Sequence, residues 1–248
     1  MSGDLCTFLV WDTEFFGCRI ARVNDHTLDE RRGAQIAAWC EAHAIDCLYF
    51  LASSDDPATQ HYAAHQGYLL QDIRVVLDWT PSPEDLYPQD TQIHIRQAEA
   101  ADLSALLPIA HDAYTQSRFY SDPRFSREKC AQLYEIWLER SIRREIADAI
   151  FVAEHQSQPA AFVTCKILPD GKGEIGLVGV SEAARGRGYG QHLLATAQAY
   201  FRGQGVQRVE VATQGRNIGA QRLYQRCGFR TASVWLWYHQ WLTSCQTL

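Results

Sequence analysis

The chain has 248 residues, 46% of them hydrophobic, and a formal net charge of −6 from 23 basic and 29 acidic residues. This length suits one large domain or two modest ones with a well-packed core. The acidic balance argues against a nucleic-acid partner, because phosphate contacts need a basic surface. No apolar run approaches the roughly 20 residues that span a membrane, and the N-terminus lacks the basic region of a signal peptide. We therefore expect a cytoplasmic protein with no membrane partner.

Eight cysteines and nine histidines are scattered along the chain. No Cys-x-x-Cys pair occurs, and the histidines do not show the paired spacing of metal ligands. We interpret the cysteines as reduced, buried thiols, since disulfide frameworks and zinc sites need cysteines in organised sets. This interpretation predicts a protein without a bound metal.

The first 80 residues alternate predicted strands with predicted helices. Alternating or continuous apolar runs indicate the strands, and apolar residues at helical spacing indicate the helices. Pro57 marks the start of the second helix, because proline is tolerated in a first turn, and Gly67 marks its end. The aromatic pair Phe15 and Phe16 is interpreted as core. The predicted strands are 19–23, 47–52 and 69–79, and the predicted helices are 29–43 and 56–67.

This first part aligns with the end of the chain when the numbering is shifted by 161 positions, without a gap. The aligned pairs are 48–52 with 209–213, Gln60 with Gln221, and Gly67 with Gly228. Few residues are identical, and Ala63 stands where the later copy has Tyr224. The repeat therefore predicts a shared architecture rather than a shared site.

A proline-rich, polar stretch at 81–92 predicts a linker between a domain at 1–80 and a domain at 93–248. In the second domain Asp102 and Asn217 are typical helix N-caps, and 117–123 is predicted as a loop. The last strand is apolar on both faces, which predicts either a buried strand or one that meets a second subunit in a homodimer. The predicted strands are 93–97, 150–153, 160–168, 175–180, 208–213 and 231–241, and the predicted helices begin at 102, 126, 191 and 217.

A glycine-rich turn lies between the strand at 175–180 and the helix that begins at 191. It consists of Arg185, Gly186, Arg187, Gly188, Tyr189 and Gly190. Glycines let a backbone approach a ligand closely, a helix N-terminus collects anions, and arginines match phosphates. The turn therefore predicts a pyrophosphate cradle, and a turn used only for tight packing is the alternative. The Gly-Lys-Ser or Gly-Lys-Thr of a Walker loop is absent, and a dinucleotide fold would place its motif near the start of a βαβ unit.

The form Arg-x-x-Gly-x-Gly resembles the acyl-CoA loop of the GNAT superfamily of N-acetyltransferases, and the resemblance covers 93–241. It implies acetyl-CoA as co-substrate, with the backbone amides of the loop on its pyrophosphate. By the same resemblance, the strand residues Val178 and Val180 pair with pantetheine and the acetyl carbonyl, and Asn217 contacts pantetheine. Tyr224 matches the tyrosine that gives its proton to the departing thiolate.

The resemblance also sets the expected fold class. It implies an α/β protein with a mixed sheet of the α+β kind, in which 93–248 is the GNAT N-acetyltransferase domain. The preceding 1–80 is then a smaller, truncated GNAT-like domain without its own cofactor. We expect this domain to shape one wall of the acceptor site, and a purely structural extension is the alternative.

Four stretches together are similar to the dTDP-fucosamine acetyltransferases, and 11–17 is similar too. The four are 117–119, the region of Tyr134 and Trp137, 211–214 with Asn217, and the helix that contains Tyr224. This similarity implies direct acetyl transfer, in a ternary complex, to the amine of a nucleotide-linked amino sugar. Arg118 is the predicted partner of the sugar-nucleotide diphosphate, with a solvated surface charge as the alternative.

Other functions stay open at this point. The acceptor is alternatively a peptide N-terminus or another small amine, and the chain is alternatively a non-catalytic acyl-CoA-binding sensor. Retention of Tyr224 beside the glycine turn weighs against the sensor. For a general base the sequence offers only Glu174, at the head of the strand before the turn.

Overall fold

The computed structural model describes residues 4–82 and 93–242. From residue 83 onward, the predicted linker at 81–92 lies outside the described residues. Within the described ranges the chain forms ten strands. They are β1 (Cys6–Phe8), β2 (Ile20–Val23), β3 (Cys47–Ser53), β4 (Leu69–Trp79), β5 (Ile95–Gln97), β6 (Ala149–His155), β7 (Gln158–Ile167), β8 (Gly173–Val180), β9 (Val209–Gln214) and β10 (Arg230–Trp241).

Eight α-helices accompany these strands in the same described ranges. They are α1 (Val10–Phe16), α2 (Glu30–Ala42), α3 (Pro57–His65), α4 (Leu103–Ala113), α5 (Arg118–Ser121), α6 (Arg127–Ile142), α7 (Tyr189–Gly203) and α8 (Ile218–Arg226). Two short 3₁₀ turns, Ala100–Asp102 and Glu182–Ala184, precede α4 and α7. Each long helix presents an apolar stripe to the sheet, as in Leu193, Leu194, Ala197 and Phe201 of α7.

All ten strands join one mixed sheet, in the order β1-β2-β3-β10-β4-β9-β8-β7-β6-β5. The pairs β2–β3 and β8–β9 are parallel and the others are antiparallel. The last strand of the chain, β10, therefore lies between two strands of the first 80 residues. The two halves of the chain thus share one continuous sheet.

The position of β10 explains why both of its faces are apolar. Leu236 and Tyr238 pack into a core cluster on one face, and Trp237 and Trp241 pack into a cluster on the other. β3 and β4 flank β10, so the strand is internal to the sheet, but it is buried only in part: Tyr238 and His239 are buried and 230–232 are exposed. The homodimer itself stays a prediction.

The internal repeat predicted from the sequence is present in the structure. A shift of 161 positions carries α3, which spans 57–65, onto 218–226, the bounds of α8. The same shift places β4 within β10, and both helices are followed by a glycine with positive φ, +77° at Gly67 and +86° at Gly228. Asp56 and Asn217 cap the two helices by accepting hydrogen bonds from backbone N–H groups.

Three local predictions were wrong. The segment 10–16, assigned to no element, is the helix α1, which ends at Gly17 with φ +74°. The predicted loop at 117–123 contains the short helix α5. Asp102 does not cap α4 with its side chain: it accepts from the Glu99 N–H within a capping box of the 3₁₀ turn and pairs with Arg96 at 2.7 Å.

Of the seven cysteines in the described ranges, six are buried and Cys227 is half-buried. Within the same ranges, no group of three or more His, Cys, Asp or Glu side chains is arranged to hold a metal ion. A search of the described helices found none with the length and hydropathy needed to cross a bilayer.

Candidate functional site

A cleft opens where the parallel strands β8 and β9 separate. The two strands pair only from Gly173 to Ile175, opposite 209–211, although β8 continues to Val180 and β9 to Gln214. A register shift between β7 and β8 bends β8 in this region, as bulges do. The resulting cleft has a volume of about 1220 Å³ and is lined by both strands, the glycine-rich turn, α8 and β4.

The backbone of β8 presents free polar groups to this cleft. The Ser181 N–H donates to the Ala160 carbonyl oxygen at 2.8 Å, so Ser181 and Ala160 form a hydrogen-bonded pair that continues the β7–β8 ladder. Hydrogen-bonded and non-hydrogen-bonded pairs alternate along an antiparallel ladder. The backbone of Gly179 therefore bonds to β7, and the backbone groups of its two neighbours point away from β7. Val178 and Val180, the predicted pantetheine contacts, thus direct their N–H and C=O groups toward β9 and the cleft.

The glycine-rich turn supplies a row of unused N–H donors at one end of the cleft. Gly186 and Gly188 have φ of +74° and +86°, a conformation that side chains disfavour. Across residues 4–82 and 93–242, no acceptor binds the backbone N–H of any residue from 186 to 190. The first turn of α7 adds the positive end of its dipole, so the geometry suits an anion.

Side chains of the turn have separate tasks. Tyr189 is buried and its hydroxyl hydrogen-bonds His155 Nδ1 at 2.9 Å, which fixes the turn against β6. A Cβ on Gly190 would lie 2.9 Å from Leu223 Cδ2, so a larger residue there would displace the Leu223 side chain. Arg185 donates from Nε to the Val180 carbonyl oxygen at 3.2 Å. Arg187 is exposed and, alone among the predicted site residues, does not line the cleft.

Tyr224 and Asn217 lie on the α8 wall of the cleft. Tyr224 is 6% exposed, and burial raises the pKa of its phenol, so the hydroxyl keeps its proton at neutral pH. Tyr224 lines the cleft, and no hydrogen bond to its hydroxyl is formed within the described part of the chain. Asn217 accepts from the Ala220 N–H at 3.1 Å, so its amide nitrogen stays available to a ligand.

The far end of the cleft has an aromatic wall from α4 to α6. Tyr114 and Tyr134 stack with ring centroids 4.3 Å apart, and Trp137 meets Tyr134 edge-on at 5.4 Å. The Tyr114 hydroxyl lies beside the Val178 backbone amide. Burial raises the pKa of Tyr114, nearby Tyr224 raises it further, and the Val178 amide opposes the shift. These groups therefore meet at one point of the cleft.

Arg118 occupies the same end and is not a solvated surface charge. Its guanidinium carbon lies 4.1 Å from the ring centroids of Tyr49 and Phe119 and 4.4 Å from that of Trp237. Cation–π contacts of this kind are strongest where the cation is desolvated. Its Nη1 donates to His239 Nε2 at 2.8 Å, a bond that connects α5 with β10.

A buried pair behind Arg118 fixes its position. His239 is fully buried, and burial lowers its pKa to about 4, so its ring is neutral. Because Nε2 accepts from Arg118, Nδ1 carries the proton and donates to Asp122 Oδ2 at 2.7 Å. Burial acts against the Asp122 charge, but hydrogen bonds from His239 and Trp241 lower its pKa. The sequence analysis missed this pair, since more than a hundred residues separate its members.

The first half of the chain contributes a carboxylate and a guanidinium to the cleft. Asp72 is 6% exposed, and burial raises its pKa to about 6. Arg74 follows on the same face of β4; burial lowers its pKa, and Glu174 is the main charge that opposes the shift. Glu174, the predicted base, also lines the cleft. The sequence analysis named neither Asp72 nor Arg74.

Comparison with known families and curated proteins gives three findings. Residues 109–229 match the Acetyltransferase (GNAT) family. The spore coat polysaccharide biosynthesis protein SpsD of Bacillus subtilis is 29% identical over 58% of this chain and 49% of its own length. A mycothiol acetyltransferase of Kineococcus radiotolerans is 28% identical over 82% and 65%, and a dTDP-fucosamine acetyltransferase of Escherichia coli is 27% identical over 58% and 61%. The chain thus spans about half to two thirds of these relatives.

Solved structures with the same fold extend over nearly the whole chain. A GCN5-related N-acetyltransferase from Sphaerobacter thermophilus has a TM-score of 0.69 at 19% identity and covers 98% of this chain and 78% of its own. A tandem GNAT protein from the clavulanic acid biosynthesis pathway has a TM-score of 0.61 at 18% identity, covering 93% and 77%. At these identities the likeness establishes the fold, an α/β architecture with one mixed sheet.

Proposed function

Because residues 109–229 of this chain are an acetyltransferase domain of the GNAT family, we propose that the protein transfers the acetyl group of acetyl-CoA to the amine of a nucleotide-linked amino sugar. The observation that carries the proposal is the row of free N–H groups from 186 to 190 at one end of the cleft whose wall contains Tyr224. The N–H groups suit the pyrophosphate of coenzyme A, and the phenol suits the thioester sulfur.

The chemistry follows from groups of this chain. The Val180 N–H and the backbone groups of Val178 would bind the pantetheine arm and orient the thioester carbonyl. The neutral amine attacks that carbon, and the Val178 N–H stabilises the negative charge on the oxygen. The carbon–sulfur bond breaks, Tyr224 gives its proton to the sulfur, and the proton that the nitrogen loses restores the phenol. Holding both substrates in one cleft supplies much of the rate.

Cationic groups support a phosphate-bearing acceptor. Arg118 and Arg74 both line the end of the cleft away from the glycine turn. In the described residues the Arg74 guanidinium forms no hydrogen bond or ion pair, so it is available to an anion. The similarity to a dTDP-fucosamine acetyltransferase agrees with an amino sugar nucleotide. Another small amine is the second candidate, because a mycothiol acetyltransferase matches a larger share of the chain, 82%.

A thiol-release assay tests the proposal directly. Purified protein is given acetyl-CoA with dTDP-linked 4-amino sugars, deacetylated mycothiol, amino acids and short peptides in separate reactions. We expect release of free coenzyme A with a dTDP-amino sugar, with kcat/KM at least about tenfold above every other amine. Turnover with deacetylated mycothiol alone would favour the second candidate, and binding of acetyl-CoA with no turnover on any amine would favour the sensor.

The glycine turn gives a separate prediction for acetyl-CoA affinity. Gly188→Ala places a side chain at φ +86°, which costs about 1–2 kcal/mol and shifts the N–H groups of the turn. We expect the Kd of acetyl-CoA, measured by calorimetry, to rise about tenfold. Gly203→Ala is the matched control, because this residue ends the same helix, has no positive φ and leaves room for a Cβ. An unchanged Kd for Gly188→Ala would remove the turn from the cofactor site.

A further inference from the structure

Asp72 is the one buried carboxylate in the described part of the cleft with an unused oxygen. Its side chain is 6% exposed, and Oδ1 has no hydrogen-bond partner among the described residues. A buried polar atom without a partner costs about 1–3 kcal/mol of stability. Such a cost persists where a ligand supplies the missing partner, and Asp72 lines the same cleft as Tyr224 and Val178.

The local backbone aims this carboxylate. Trp237 of β10 pairs with Asp72, but the next residue, Tyr238, pairs with Leu70, so Gln71 is an extra residue in β4. Bulges re-aim side chains and recur beside active sites. Asp72 also lies just beyond the end of β9, whose last residue pairs with Arg74. No residue of β9 therefore pairs with Asp72.

The charged groups around Asp72 stabilise its ionised form electrostatically, and they do not hydrogen-bond its carboxylate. They are Arg216 from the turn before α8, Arg118 from α5 and Arg74 from β4, with the Tyr134 phenol from α6. Arg216 donates to the Gln71 carbonyl oxygen at 3.0 Å, and Arg118 donates to His239. Burial outweighs the three cations, so the pKa of the carboxyl is about 6 and the group is largely ionised at neutral pH.

We propose that Asp72 binds the ammonium group of the acceptor and is the general base of the proposed transfer. This inference rests on the proposed function. Oδ1 takes one proton from R–NH₃⁺, which leaves the nitrogen lone pair free to attack the thioester carbon. The carbon–nitrogen bond forms, the carbon–sulfur bond breaks, and Tyr224 protonates the sulfur. The second proton lost by nitrogen returns to Tyr224, and Asp72 releases its proton to solvent.

Glu174 is less suited to this role. It lies where β8 and β9 are still paired, opposite Glu210. It is also the main opposing charge that acts on the pKa of Arg74. The two carboxylates can be separated by mutation.

The test compares pH profiles of kcat/KM for wild type, Asp72→Asn, Glu174→Gln and Asp78→Asn, with the best amine of the thiol-release panel. Asp78 is the matched control, since it shares the strand and face of Asp72 but pairs with Arg208 outside the cleft. In wild type we expect the rate to fall as pH decreases through about 6. The kcat/KM of Asp72→Asn is expected to be about 100-fold below that of wild type at pH 7.5 and to lack this fall in rate at low pH, the acid limb of the profile. Asp78→Asn should match wild type.

Two further measurements test whether Asp72 acts on the reaction or only on the structure. Asp72→Asn should bind acetyl-CoA like wild type and melt at the same or a higher temperature at pH 8, because it removes a buried charge. Asp72→Glu should keep the acid limb, which a merely structural role would not predict. A rate for Asp72→Asn within threefold of wild type, or loss of the limb in Glu174→Gln instead, would overturn the inference. Failure of wild type on every amine would overturn the proposed function itself.

Discussion

Tyr224→Phe is expected to lower kcat by about 10²- to 10³-fold and to leave the Kd of acetyl-CoA nearly unchanged. The change removes one hydroxyl and keeps the ring, which packs with Phe229 at a centroid distance of 6.0 Å. Burial raises the pKa of the phenol, so the proton is in place at neutral pH. The thiolate would leave into the same cleft beside the phenol, so proton transfer between them is feasible.

The control for this variant is Tyr200→Phe. Tyr200 lies on α7, packs against Phe151 and does not line the cleft. We expect its kcat to stay within about twofold of wild type, since surface substitutions away from a site have small effects. Stopped-flow thiol release measures both variants, and calorimetry measures acetyl-CoA binding. A Tyr224→Phe enzyme with wild-type kcat would assign the proton donor elsewhere, and Tyr114 would be the next group to test.

Local signals predicted much of the fold. The bounds of β4 follow from an uninterrupted run of strand-forming residues between Gly67 and the proline-rich stretch. Ser126 was placed at the start of a helix and caps α6 by accepting from the Lys129 N–H at 3.1 Å. In each case the deciding interaction lies within a few residues of sequence, which is the range that pattern analysis covers.

Long-range pairing explains what the sequence analysis missed. Strand order is set by contacts between distant residues, so nothing local indicates that β10 inserts between β3 and β4. The hydrogen bond from Arg118 to His239 spans 121 positions, and the bond from His239 to Asp122 spans 117. Asp72 is one acidic residue in an otherwise ordinary strand, and only the sheet brings it to the cleft. The helix α1 was missed for a different reason: its Trp11 and Phe15 favour strands locally but stack on each other at 4.9 Å against the core.

The buried pair behind Arg118 carries the second large prediction. His239→Phe keeps the ring volume and removes both nitrogens, so Arg118 loses its acceptor and Asp122 loses a donor. We expect the KM of the acceptor to rise about tenfold or more, while acetyl-CoA binding stays unchanged, because Arg118 is no longer fixed in the cleft. Arg118→Lys should show the same split, since lysine can neither stack on three rings nor hydrogen-bond as a planar group. Arg19→Lys is the matched control: Arg19 lies over the Phe8 ring at 4.9 Å and outside the cleft.

The same variant has a pH-dependent effect on stability whose sign follows from the lowered pKa of His239. The unfolded histidine binds a proton near pH 6.5, and the folded one near pH 4. Stability from the neutral ring is therefore complete above pH 6.5 and is lost as pH falls toward 4, by about 3 kcal/mol in total. At pH 7.5 His239→Phe should be about 2–4 kcal/mol less stable than wild type, because it leaves Asp122 short of a hydrogen bond. Since the variant cannot take up this proton, the difference in free energy of unfolding between wild type and His239→Phe should become smaller as pH falls from 6.5 to 4. Urea denaturation at each pH measures the difference in free energy of unfolding between the two proteins. The pKa of Asp72 shifts in the opposite direction, but Asp72 is present in both proteins, so its effect cancels in the difference. A difference that becomes larger toward pH 4 would mean that His239 is charged in the folded protein, and the neutral ring that accepts from Arg118 would be the wrong description.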